Sequence, residues 1–235
     1  GHPVNMKPLL QIARKYNLKV IEDSTESLGA KYDGDMSGSL GDIACFSFNG
    51  NKLITTGGGG MIVTNNPEWA ELAKHLTTQA KSHQTEYIHD QIGYNYRLTN
   101  IQAAMGVAQM ENIQQHIQSK QNIAAKYNQS FENLEPITTM KQASWAEHVW
   151  WLYTILINKT KSDTNARILS NILNQEKIQT RPLWQPLHMS SAHSNSQATD
   201  CSVSERLYEQ AISLPCSVGL NTKDQDLVIS KIESH

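Results

Sequence analysis

The sequence predicts an α/β protein built on a parallel sheet, and three observations predict it. Met6 to Tyr16 has helical spacing and runs into the apolar residues Leu18 to Ile21. Helix followed by buried strand is half of the unit that builds parallel sheets. A second short strand, Cys45 to Phe48, enters a loop that carries Lys52 and ends in four glycines, Gly57 to Gly60. The chain then turns helical before strand and helix patterns resume.

Taken in order, Val20 and Ile21 read as the end of a buried strand. Asp23 then falls at its carboxyl end, where open α/β sheets bind ligands. The Cys45–Phe48 strand carries Ser47 and leads to Lys52. Asn66 can cap a helix from Pro67 to Thr78, with proline at the first helical position. Thr99 or Asn100 can cap one long helix. Its apolar positions Ile113, Ile117, Ala124, Tyr127, Phe131 and Leu134 recur at helical period and read as core. Val149 to Ile157 alternates and is rich in aromatic residues, as a strand would be. A helix from Asn165 to Asn174, the segment Arg181 to His188, and helices at Ser204–Ala211 and Lys223–Ile232 complete the reading. Met189 to Ser204 is polar and loop-like.

Composition excludes several classes. With 20 Lys and Arg against 22 Asp and Glu, the net charge is −2, so nothing favours nucleic acid or an anionic membrane. No apolar run is long enough to span a bilayer. Cys45, Cys201 and Cys216 make an odd count without metal spacing, which suits a reducing cytoplasm. His83, His89, His188 and His193 lack a zinc pattern, so no metal is expected. Gly57–Gly60 is not followed by Lys and Ser or Thr, so a nucleotide P-loop is excluded.

Lys52 and Asp23 carry the chemistry. A lysine between an apolar strand and a glycine run is either a solvated loop residue or an amine with a task. Burial favours the neutral form of an amine, which Schiff-base chemistry requires, and glycines let backbone approach a bulky ligand. Asp23 is either a helix N-cap or the partner of a cationic ring nitrogen. Together they are the two groups a pyridoxal phosphate site needs: a carboxylate for the pyridinium and a lysine for the aldehyde.

Four ordered blocks give the chain a family resemblance. They are Glu22–Ala30 with Gly38–Phe48, then Lys52 and its glycines, then Gly93–Gly106, then Thr180–His188 with Ile212–Pro215. Together they resemble the DegT/DnrJ family of pyridoxal phosphate-dependent nucleotide-sugar aminotransferases. Glu26 and Phe48–Asn51 look most like the branch that makes 4-amino precursors of legionaminic-type sugars. The resemblance implies the type I fold of aspartate aminotransferase, with a mostly parallel large-domain sheet and a small C-terminal α+β domain. Residues 1–125 would belong to the large domain and 126–235 to the small one. Family members are longer, and Gly1–Val4 resembles a mid-chain turn of theirs. The resemblance therefore implies a truncated chain without the upstream phosphate and ring-stacking elements, inactive by itself.

The resemblance also implies roles. Lys52 would anchor the cofactor and move protons, while Asp23 would hold the pyridinium. Ser47, Asn95 and Arg97 would bind phosphate, the last two in the partner subunit's site. Glu26 stands where relatives carry Gln or His beside the phenolic oxygen, a place where a carboxylate would have to be protonated or face elsewhere. Tyr94, Arg181, Trp184 and His188 would line the substrate pocket. The implied reaction is amino transfer, with glutamate as donor, to a 4-keto-6-deoxy nucleotide sugar by a cytoplasmic homodimer. A dehydratase of the same family has His in place of the lysine, so Lys52 argues against it. A non-catalytic, sugar-binding remnant is the alternative from another class.

Overall fold

The computed structural model describes residues 1–158 and 164–235. Its elements in chain order begin with α1 (Met6–Lys15), β1 (Ile21–Asp23), β2 (Lys31–Tyr32), β3 (Asp35–Met36), β4 (Ile43–Ser47) and β5 (Gly60–Val63). Three helices follow, α2 (Pro67–Thr77), α3 (Asn100–Glu111) and α4 (Ile113–Phe131). Then come β6 (Ile137–Thr139), β7 (Ala146–Glu147), β8 (Tyr153–Ile157), α5 (Ala166–Gln175) and β9 (Arg181–Pro182). The chain closes with α6 (Ser202–Gln210), β10 (Ala211–Leu214) and α7 (Thr222–Glu233). Two compact units result: residues 1–118 with 142–151, and residues 119–141 with 152–235.

In the first unit, α1 buries Met6 and Ala13 and ends in Arg14 and Lys15, whose charges suit a helix C-terminus. Asn17 takes a left-handed φ of 51°, and Leu18 N–H donates back to the Ala13 carbonyl at 2.8 Å, which stops the helix. β1 then pairs in parallel with β4, Asp23 opposite Cys45. β4 pairs antiparallel with β5, Ser47 opposite Gly60. The expectation of a mostly parallel sheet is therefore corrected. The three-stranded sheet has one parallel and one antiparallel pairing, because the loop after β4 doubles back instead of crossing over. Ile21 is also not buried but 73% exposed, since β1 is the outer strand of this sheet.

Between β1 and β4 lies a β2–β3 hairpin. Its two-residue loop, Asp33 and Gly34, has positive φ at both positions, which is the turn that matches strand twist. β7 pairs on the other side of β2. The glycine loop has local reasons for its composition. Gly57 and Gly59 have φ of 77° and 84°. A Cβ on Gly60 would stand 2.4 Å from the Phe46 carbonyl oxygen. The close approach at Gly60 is to the chain itself.

α2 starts as expected, with the Asn66 side chain accepting from Trp69 N–H at 3.2 Å. Thr99 and Gln102 cap α3 reciprocally, as in a capping box. The single long helix expected after Thr99 is two helices, because Asn112 leaves helical geometry (ψ 6°) and α4 starts afresh at Ile113. Leu134 lies beyond α4. Ile117, Ala30 and Val149 form a small apolar cluster against which Leu53 and Ile113 pack.

In the second unit, the sheet order is β6-β8-β10-β9, antiparallel throughout. Tyr153, Ile155 and Ile157 of β8 are buried on alternate positions, the period-two pattern of a sheet with one core face. Tyr127 stacks on Phe131 at 5.7 Å and tilts against Tyr153 at 4.8 Å. Their hydroxyls are not stranded: Tyr127 donates to the Pro215 carbonyl at 2.9 Å and Tyr153 to Asn128 Oδ1 at 2.7 Å. The strand expected from Val149 begins only at Tyr153. Trp150 has φ of 52°, which turns the backbone, and Val149 to Trp151 belong to the first unit.

Candidate active site

β1 ends on Asp23, and no helix follows it, so it is not a helix cap. Asp23 Oδ1 accepts from Thr25 N–H at 3.3 Å and from Thr25 Oγ1 at 2.7 Å, a turn of the kind short carboxylates make. Oδ2 has no hydrogen-bond partner among the described residues. On the parallel neighbour, Ser47 closes β4, its Oγ accepting from Asn49 N–H at 3.3 Å. Cys45 is the residue opposite Asp23 in register, its thiol pushed up by burial and then by the charge of Asp23.

Lys52 follows a turn in which its N–H donates to the Asn49 carbonyl at 3.1 Å. The solvated-loop alternative does not hold, because its side chain is only 11% exposed. Its amine forms an ion pair with Glu26 Oε1. On another side, Nζ lies 4.4 Å from the centre of the Trp151 ring. Trp151 is fixed in turn, its Nε1–H donating to the Asn51 carbonyl at 2.7 Å. Glu26 thus faces the lysine.

The sequence reading missed two residues. Trp151 reaches Lys52 from a segment a hundred residues away, which no local pattern reveals. Glu22 accepts from the backbone N–H groups of Gly38, Leu40 and Gly41 at 2.8, 2.7 and 2.5 Å. It thereby fixes the loop that leads into β4. An acidic residue beside Asp23, with a glycine-rich turn downstream, was the available signal.

The other expected residues lie elsewhere. Tyr94, Asn95 and Arg97 form an exposed strip of the first unit, tied to the end of α2. Tyr94 N–H donates to the Leu76 carbonyl at 2.7 Å, and Asn95 bridges to Thr78. Tyr94 and Tyr96 stack at 5.1 Å. No hydrogen bond or ion pair joins this strip to Lys52, Asp23 or Glu26. In the second unit, Trp184 and His188 line a groove with Leu187, Leu207 and Tyr208. His188 Nε2 is 2.8 Å from Glu205 Oε1. Arg181 sits exposed on β9, paired with Ser213 of β10.

The Asp23–Ser47–Lys52 set fits a pyridoxal phosphate group in its donor chemistry. A carboxylate with an open oxygen ends β1, a hydroxyl ends the neighbouring β4, and a sheltered amine stands in the loop that follows β4. Among the described residues, no three His, Cys, Asp or Glu side chains are grouped to hold a metal. No helix there is long and apolar enough to cross a membrane.

Comparison with known proteins places the chain in a family. The model of the DegT/DnrJ/EryC1/StrS aminotransferase family matches residues 1–233. The chain is 37% identical over 234 residues to GDP-perosamine synthase of Caulobacter vibrioides, covering 99% of this chain and 63% of that protein. It is 28% identical to a UDP-4-amino-4,6-dideoxy-N-acetyl-β-L-altrosamine transaminase of Campylobacter jejuni, covering 97% of this chain and 61% of that protein. In structure it is similar to PseC of Helicobacter pylori, an aminotransferase of pseudoaminic acid biosynthesis, with a TM-score of 0.90 and 25% identity. That match covers 99% of this chain and 63% of the other. The chain spans less than two thirds of the length of each of these proteins.

Proposed function

The chain belongs to the DegT/DnrJ/EryC1/StrS aminotransferase family, and from this premise we propose that the complete protein transfers an amino group to the 4-keto position of a nucleotide-linked 6-deoxy sugar. The family is pyridoxal phosphate-dependent. The observation that carries the reading is the sheltered Lys52 amine near the strand end that bears Asp23. The likeness to a transaminase named for a 4-amino-4,6-dideoxy sugar supports the sugar class. The sugar belongs in this proposal to the legionaminic-type branch, and the setting is cytoplasmic.

In this reading the cofactor supplies an electron sink for the carbanion formed at the donor's α-carbon. Lys52 Nζ anchors it. Once released, the same Nζ takes the proton from the α-carbon and returns it elsewhere, acting as base and then acid. Asp23, with one carboxylate oxygen open, would hold the protonated ring nitrogen by a charge-assisted bond, stronger than a neutral one. Ser47 Oγ would hold the phosphate. Asn95 and Arg97 do so for the partner subunit of a homodimer, where the guanidinium fork suits phosphate. Tyr94, Arg181, Trp184 and His188 contact the nucleotide sugar, Trp184 by stacking.

The test supplies the full-length protein with pyridoxal phosphate, glutamate and a panel of GDP-, UDP- and dTDP-4-keto-6-deoxy sugars. The expected result is a 4-amino sugar with one equivalent of 2-oxoglutarate. Cofactor binding without amino transfer to any of the panel would overturn the reading.

A further inference from the structure

We propose that Glu26 is the positioning residue of the Lys52 amine, a counter-ion that holds Nζ whenever this nitrogen is not bonded to the cofactor. The inference rests on the reading of Lys52 as the anchor. It departs from the role that the position of Glu26 implied, beside the cofactor's phenolic oxygen.

The amine is enclosed on two sides. Glu26 Oε1 pairs with it, and the Trp151 ring faces it at 4.4 Å. Both partners attract a cation. Trp151 is itself held to the backbone of Asn51, next to the lysine. The Glu26 side chain is 39% exposed and that of Lys52 only 11%. The carboxylate is therefore the amine's contact with solvent and the natural acceptor of its proton.

Three stretches of chain meet at this amine. The first carries Asp23 and Glu26. Residues 48–59 carry no ionisable side chain but Lys52 itself. Residues 142–151 carry Glu147, which is paired with Lys31 at 3.0 Å, and His148, which burial keeps neutral. Glu26 is thus the carboxylate in contact.

An ammonium has no lone pair with which to attack a carbonyl carbon. Lys52 must first lose one proton, to Glu26 Oε1 in the native protein or to solvent once Glu26 is replaced, and the ion pair opposes that loss. Its nitrogen then bonds to the aldehyde carbon, and the aldehyde oxygen leaves as water with the two remaining amine hydrogens. The ion pair breaks in this step and forms again when the lysine is released. Glu26 therefore stabilises the released lysine, and it slows capture of the cofactor in exchange for easier release.

The test uses the full-length protein stripped of cofactor and mixed with pyridoxal phosphate between pH 6 and 9. Capture is followed by stopped-flow absorbance, and the attachment point is read by borohydride reduction and peptide mass spectrometry. Glu26→Gln is expected to capture about fivefold to tenfold faster at pH 7, because the ion pair that must break before capture is gone. Glu26→Asp keeps the charge but withdraws it by one methylene. It should fall between the two, and it covers the case in which the Gln variant fails to fold. A reduced adduct on Lys52 together with capture rates equal to wild type in the variants overturns the role of Glu26 alone. An adduct on another lysine overturns the anchor reading as well.

Discussion

Asp23 and Glu26 are three residues apart, yet the structure gives them different work. Asp23 holds a turn with one oxygen and leaves the other open, while Glu26 closes on Lys52. Asp23→Asn is therefore expected to lower kcat of the complete enzyme on the order of 100-fold or more. The amide keeps the turn, so the melting temperature should hold within about 2 °C; near-normal turnover would remove the ring-nitrogen role. His148 makes a second prediction. Its Nδ1 accepts from Trp150 N–H at 2.7 Å, and its Nε2 is buried without a partner among the described residues. Burial above all, and then the neighbouring His2, push its pKa down to about 3. The unfolded chain takes up that proton near pH 6.5, so this contribution to stability is complete above that pH and is lost as the pH falls towards 3. Urea unfolding from pH 7 to pH 4 should show a loss of about 2–4 kcal/mol from this residue, and a flatter profile in His148→Gln. At this scale the sequence was most legible where a residue's type is scarce in its setting, as with Lys52 and Asp23. It was least legible where a partner arrives from far along the chain, as with Trp151.

Among elements, the helices were the most readable because their caps are local. Asn66 with Pro67, Thr99 with Gln102, and Asn165 all name a helix start, and each accepts the backbone N–H groups the start leaves open. The break at Asn112 was hidden because the apolar period continues across it. The Asp33–Gly34 hairpin was legible and went unread. Pairing was not legible: whether the chain after β4 crosses over or doubles back depends on the loop from 48 to 59, and its glycines signalled a turn without its direction. Those glycines also separate two costs. Gly60→Ala drives a Cβ into the Phe46 carbonyl oxygen at 2.4 Å and should destabilise by about 1–3 kcal/mol or more. Gly57→Ala meets nothing within 4 Å and carries only the left-handed strain of about 1 kcal/mol. Chemical denaturation of the two variants should rank them in that order, and the reverse order would mean that the β4–β5 register is wrong.

For the whole molecule, the proposed homodimer makes each active site a joint product. Arg97 is exposed and unlinked to its own Lys52, as a residue given to a partner would be. On that reading, mixing full-length Lys52→Ala with full-length Arg97→Ala chains creates dimers with one doubly damaged site and one intact site. Random pairing gives half mixed dimers, so about a quarter of wild-type activity should return from two inactive parents. No recovery after subunit exchange would refute the crossing strip. The 235-residue chain by itself is expected to show no amino transfer in the same assay.

The chain has five tryptophans, and one of them lies against the amine on which the proposed chemistry turns. An indole's emission responds to a charge a few ångströms away, and Trp151 has the Lys52 ammonium over its face. Neutralising or bonding that nitrogen removes the charge, so Trp151 is a built-in optical gauge of the lysine's state. The signal is the difference in emission between the native protein and Trp151→Phe, which cancels the other four rings. Titrated with pyridoxal phosphate, that difference should change in step with covalent attachment, so occupancy of Lys52 can be watched without a label or a substrate.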